Sequence, residues 1–156
     1  MDAPEVAIQA EDFDTRALQA LLTADTGATG ALVSFVGLVR CETDQAAVLA
    51  MELEHYPGMT ESSIQQIIDQ ARQRWDILQV KVVHRIGRLL PGEQIVYVGV
   101  SSRHRGTAFL ACEFIMDYLK TRAPFWKKEK TQAGSRWVDA RETDTAAASR
   151  WQASPE

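Results

Sequence analysis

An α+β fold is predicted by three features of this 156-residue chain. Apolar residues recur at period two in some stretches and at helical spacing in others. A Leu90-Pro-Gly-Glu93 turn joins two strand-like runs as an antiparallel hairpin, and neither a repeat nor a linker divides the sequence. With 46% hydrophobic residues the chain can build one core, so residues 1–156 read as a single domain. Residues 1–12 and 143–156 are expected to be loosely ordered termini, with Trp151 available as an anchor.

Asp14 is placed to cap a short helix reaching about Thr23, with Ala17, Leu18, Leu21 and Leu22 on its apolar side. Residues 25–30 read as a loop. Residues 31–39 are apolar and β-branched, a buried strand that loosens near Gly37 and carries Arg40 at its tip. Residues 47–54 alternate as a half-exposed strand does. After a His55-Tyr-Pro-Gly58 turn, Thr60 is expected to cap a helix with Ile64, Ile67, Ile68, Ala71 and Trp75 on one face. Residues 80–86 and 94–101 are the hairpin strands, the second nearly all apolar and therefore central. Residues 106–122 predict a helix apolar over most of its surface, with Glu113, Asp117 and Lys120 as a polar stripe. Such a helix is covered by the sheet, by another subunit, or by both. Pro124 lacks an N–H and restricts the residue before it, which stops this helix near Arg122. From there to Arg141 the expectation is a loop.

Charge is unevenly spread. The net charge is -4, yet residues 120–130 hold five cations and one carboxylate, while residues 1–30 hold six acids and one arginine. The overall sign argues against a general nucleic-acid binder; a confined basic site on an acidic protein suits a small anion or an acidic partner segment. No apolar run approaches 18 residues and the N-terminus is acidic rather than basic, so the expectation is a cytoplasmic protein without a membrane span. Cys41, Cys112 and three histidines show no ligand spacing, so no metal and no cofactor is expected.

Three clusters can carry chemistry. His104 and Arg105 stand where the central strand passes into a helix N-terminus, a place that favours an anion; they read equally as a polar cap and an exposed charge. Arg40 either completes that site or pairs with Glu42. Lys120 either pairs with Asp117 three residues before it or is functional. On charge alone the run around Lys127 reads first as a solvated basic surface loop. The functional alternative is that Pro124, Phe125 and Trp126 exclude water and bring the Lys127 ammonium into use as acid or base, the two aromatics reading otherwise as core anchors. His55 and His84 read as structural.

The segments Leu53-Glu-His-Tyr-Pro-Gly-Met-Thr-Glu61, Val83-His-Arg-Ile-Gly87, Gly99 through His104-Arg105, and Phe114-Ile-Met-Asp-Tyr-Leu-Lys-Thr-Arg-Ala-Pro-Phe-Trp-Lys-Lys-Glu129 resemble the large, catalytic subunit of molybdopterin synthase. The likeness runs from about residue 30 to 151. It implies a catalytic domain of α/β-hammerhead type, a homodimer at the centre of a heterotetramer, and a small ubiquitin-like partner with a C-terminal Gly-Gly thiocarboxylate. The implied reaction moves sulfur from that tail to cyclic pyranopterin monophosphate, forming the molybdopterin dithiolene. Residue by residue, the resemblance implies Lys120 and Lys127 as catalytic and Leu38, Val39, Arg40, His104, Arg105, Lys120, Lys127, Lys128, Glu129 and Arg141 as substrate-binding. Leu38 departs from the polar or basic residue that many relatives carry there.

Spacing adds a geometric expectation. An unbroken helix over 106–122 puts Arg105 and Lys120 about 22 Å apart, too far for one small pterin, so the two ends are expected to meet across a two-fold dimer interface. Two rivals remain from the residues alone. One is a module that binds RNA or an acidic peptide through the basic run; the other is a phosphate-ester enzyme, disfavoured by the lack of a Gly-rich phosphate loop.

Overall fold

The computed structural model describes residues 4–25, 27–42, 47–138 and 142–152. Among the described residues eight strands form two four-stranded sheets, and four α-helices pack around them. The first sheet contains β1 (Val6–Gln9), β2 (Ala31–Leu38), β4 (Gln79–Arg85) and β6 (Gln94–Ser102), in the order β1-β4-β6-β2. All of its pairings are antiparallel except β1 with β4. The second contains β3 (Ala50–His55), β5 (Gly87–Leu89), β7 (Phe125–Thr131) and β8 (Gly134–Val138), in the order β5-β3-β7-β8. The α+β expectation therefore holds.

Period two on β4 and β6 builds the core. Val80 and Val82 of β4, with Val96, Val98 and Val100 of β6, face α2 (Met59–Arg74) and α3 (Arg105–Arg122), where they meet Ile64, Ile67, Ile68, Phe114 and Ile115. The opposite face carries Val83 and Tyr97, which are covered by Phe13 and Leu22 beside α1 (Thr15–Leu22). Asp14 caps α1 as expected, its carboxylate accepting from the Arg16 and Ala17 N–H groups. Gly30 seats β2 against the turn into α3, since a Cβ there would overlap the Arg103 carbonyl.

Several expectations give way. The N-terminus is tied down from Pro4 onward: β1 pairs with β4, Lys81 donates to the Pro4 carbonyl and Arg85 to that of Ala10. Gly58, not Thr60, caps α2, with a φ of 84° that glycine tolerates and its N–H held by Glu61. Thr60 is instead fully buried, its hydroxyl accepting from the Tyr56 N–H and donating to the Pro124 carbonyl. Helix α3 stops at Arg122, as Pro124 requires, but the chain then forms the β7–β8 hairpin rather than a loop. The C-terminal stretch forms α4 (Glu142–Ser149) and a 3₁₀ turn at Arg150–Gln152. Trp151 lies edge-on to Trp75 and Phe114, the anchor its size suggests.

Candidate functional site

Reversal of the chain after β6 sets the geometry. Helix α3 runs back along β6 and β2 without a break, so its last turn, with Lys120, lies at the Gln94 end of β6. At that same end β2 closes with a register shift between Gly37 and Leu38. The shift turns Val39 into a cluster with Met51, Leu53 and Leu89 on the second sheet, while Leu38 and Arg40 stay exposed. One protomer thus brings residues 38–40 and Lys120 to one end of its first sheet. His104 and Arg105 stand at the other end of α3, beyond Ser102.

The second sheet separates the basic run by alternation. Lys127 pairs across to Leu53 and Glu129 to Met51, so both share the inner face with Phe125 and His55. Lys128 pairs across to Glu52 and Trp137 on the outer face, its Nζ 5.5 Å from the Trp137 ring. The side chains of Lys127 and Lys128 therefore point to opposite faces. Glu129 is buried and accepts from Arg136 Nη2 at 3.1 Å, which makes it a brace between β7 and β8. Lys130 is exposed. Arg141 lies outside the described residues.

Arg40 has no ion pair among the described residues, and neither do Arg105 and Lys120; Arg103 pairs with Asp76 at 3.7 Å. His104 caps α3 by position, but its side chain accepts no capping hydrogen bond and is exposed. Asp117 does not hold Lys120. Its carboxylate accepts instead from Trp151 Nε1 at 2.6 Å and Arg150 Nη2 at 3.0 Å.

Two histidines read as structural stand beside this end of α3. His84 shares its strand face with Val80 and Val82 and stacks on Phe125 with 3.9 Å between ring centres. Its Nδ1 lies 2.8 Å from the Arg85 carbonyl, which can only accept, so Nδ1 carries the proton in the neutral ring. Burial lowers its pKa to about 4 against the pull of that hydrogen bond, and the positive fields of Lys120 and His55 add to the lowering. His55 pairs across β3 to Phe125 and faces Glu61 at 3.5 Å. The sequence signal for His84 was its register with two core valines; that for His55 and Glu61 lay only in their shared motif.

The unfolded chain protonates the His84 ring near 6.5 and the folded chain near 4, so stability from a neutral His84 is complete above pH 6.5 and is lost as pH falls toward 4. Urea unfolding at pH 7 and pH 4.5 is expected to show the wild type losing about 2 to 3 kcal/mol more than His84→Gln over that interval. Equal losses would contradict a ring held neutral.

Groups with these properties can bind an anion and move protons at one end of α3, and bind a second anion at the other. Among the described residues no cluster of three or more metal-ligating side chains occurs, and no helix is long and apolar enough to cross a membrane. Comparison with known proteins gives concordant matches. A family model described as MoaE protein matches residues 8–122. The molybdopterin synthase catalytic subunit of Ralstonia nicotianae is 56% identical over 148 residues, covering 95% of this chain and 84% of that protein. Among solved structures, the molybdopterin biosynthesis MoaE protein of Burkholderia ambifaria superposes with a TM-score of 0.81 at 55% identity, covering 97% of this chain and 100% of that one. Molybdopterin synthase of Staphylococcus aureus gives 0.81 at 32% identity, covering 87% and 98%.

Proposed function

The chain belongs to the MoaE family of molybdopterin synthase catalytic subunits, and on that premise we propose that it transfers sulfur from the C-terminal thiocarboxylate of a small ubiquitin-like subunit to cyclic pyranopterin monophosphate. The observation that carries the reading is the end of α3: Lys120 is exposed without an ion pair among the described residues, and Lys127 projects from the adjoining sheet face. Along that face Lys127 is two residues from Phe125, about 7 Å, and Phe125 stacks on the His84 ring that feels the charge of Lys120.

In the proposed reaction the thiocarboxylate sulfur attacks a ring carbon of the pterin as oxygen leaves, forming an acyl–sulfur link. Water then cleaves that link, releasing the partner's carboxylate and leaving the sulfur on the substrate, and a second thiocarboxylated partner repeats the transfer at the neighbouring carbon to complete the dithiolene. Lys127 supplies or takes the proton at the reacting carbon, and Lys120 orients and polarises the thiocarboxylate. Arg40, His104 and Arg105 neutralise the cyclic phosphate, the last two being contributed by the second copy of a homodimer. Val39 supports the pocket from beneath, because its side chain is buried and its N–H and carbonyl are bonded to Glu93 and Gly92, while the Leu38 side chain faces outward. Glu129 positions Lys127 through the β7–β8 brace and Arg141 completes the substrate-binding set, whereas the Lys128 side chain, on the outer face against Trp137, points away from that pocket.

The test is direct. The purified chain, mixed with a thiocarboxylated Gly-Gly-terminated small subunit and cyclic pyranopterin monophosphate, is expected to convert the substrate to a dithiolene and return the partner as carboxylate. Binding of the partner without loss of its sulfur, or salt-sensitive binding of RNA in its place, would favour the binding-module reading.

A further inference from the structure

Asp117 and Lys120 are three residues apart on α3, the spacing at which an acid and a lysine meet on a helix surface. Left to themselves they pair. In the folded chain a segment more than thirty residues later intervenes: Trp151 Nε1 and Arg150 Nη2 both donate to Asp117 Oδ2, at 2.6 and 3.0 Å. Arg150 also reaches Glu113 Oε1 at 2.6 Å, so this one guanidinium neutralises the acidic part of the stripe that Lys120 ends.

We propose that Arg150 and Trp151 are positioning residues for the reaction, turning the Asp117 carboxylate toward the C-terminal turn so that the Lys120 ammonium remains available to an incoming anion. The inference rests on the role proposed above for Lys120. Three features make the arrangement a clamp. The Trp151 ring is fixed edge-on against Trp75 at 5.6 Å and Phe114 at 5.5 Å, and Arg74 donates to the Trp151 backbone carbonyl. The Asp117 side chain is only 16% exposed, so water competes weakly for it. Both donors reach the same carboxylate oxygen, and their combined pull fixes its rotamer away from the helix's last turn.

Releasing the clamp leaves Asp117 with Lys120 as the cation at helical spacing on α3. A paired Lys120 presents a neutralised surface to a thiocarboxylate and adds a carboxylate that repels it. The test uses Trp151→Phe with Arg150→Met, which keeps the ring packing but removes both donors. Single-turnover sulfur transfer is expected to fall about fivefold, the size of a contact coupling near the low end of the usual range. Adding Asp117→Asn to that double variant is expected to restore the rate, because the amide no longer attracts the ammonium. A second readout is independent of activity: acetylation of Lys120 by a small N-hydroxysuccinimide ester, followed by peptide mass spectrometry, should slow in the double variant and recover in the triple variant. An unchanged rate and labelling in the double variant would overturn the clamp, as would a fall that Asp117→Asn does not repair. If the wild type fails to transfer sulfur, the functional reading fails, and the labelling series still decides the clamp.

Discussion

Replacing Lys120 or Lys127 by alanine is expected to slow single-turnover sulfur transfer at least about a hundredfold when pre-thiocarboxylated small subunit is supplied, the range that loss of a positioned proton donor or acceptor produces. Folding should survive both changes. Lys120 is exposed, and an exposed substitution away from caps and cores shifts stability by less than about 0.5 kcal/mol. The two variants should differ in kind. Removing Lys127, which projects from the strand floor beside Leu53, should lower the rate at saturating partner. Removing Lys120, at the open end of α3, should also weaken the dependence on partner concentration, because in the proposed reaction its charge meets the thiocarboxylate first. Arginine keeps the charge but gives up its proton far less readily. Lys120→Arg should therefore recover part of the rate, whereas Lys127→Arg should recover little. Near wild-type rates in both alanine variants would remove the lysines from the mechanism.

What the sequence showed and hid follows from the range of each interaction. Helices α2 and α3 are legible because their apolar spacing is local and Pro124 marks the end of the second. Strand β7 is not, because Lys127, Lys128, Glu129 and Lys130 place charge on both faces. Its alternation becomes visible only opposite Met51 and Leu53, which cover one side. Strand β1 escapes for a related reason: four residues carry little periodicity, and their partner β4 lies far along the chain. At the candidate site the lysines are singled out by a long motif. The diversion of Asp117 is not, since the local rule at three residues' spacing pairs it with Lys120 and the competing donors arrive from Arg150 and Trp151. His84 was read as structural from its place in a strand, and its burial agrees; its proximity to Lys120 is a tertiary fact.

A mixture of His104→Ala and Lys120→Ala homodimers, each inactive alone, is expected to regain about a quarter of wild-type activity once subunits have exchanged. The number follows from counting sites. Random exchange makes half of the dimers mixed, and in each mixed dimer one site pairs the intact Lys120 end of one copy with the intact His104 end of the other. Within a single chain the two ends cannot serve one small substrate: α3 is unbroken from Arg105 to Arg122, and Arg105 and Lys120 are about 22 Å apart along it. Residues 38–40 stand at the Lys120 end, so a single copy offers Arg40 but lacks His104 and Arg105 there. The surface near the missing pair is also suited to a second copy. Phe109 and Leu110, on the turn of α3 that follows Arg105, are 62% and 42% exposed, and Phe35 on the edge strand β2 is 40% exposed. Apolar groups of that size on a helix that packs against β2 lose contact with water when a two-fold partner covers them. Exchange itself can be followed by mass-tagging one parent, which separates failed mixing from failed complementation. Verified mixed dimers without recovered activity would place both ends of α3 in separate functions and leave His104 and Arg105 to a second ligand.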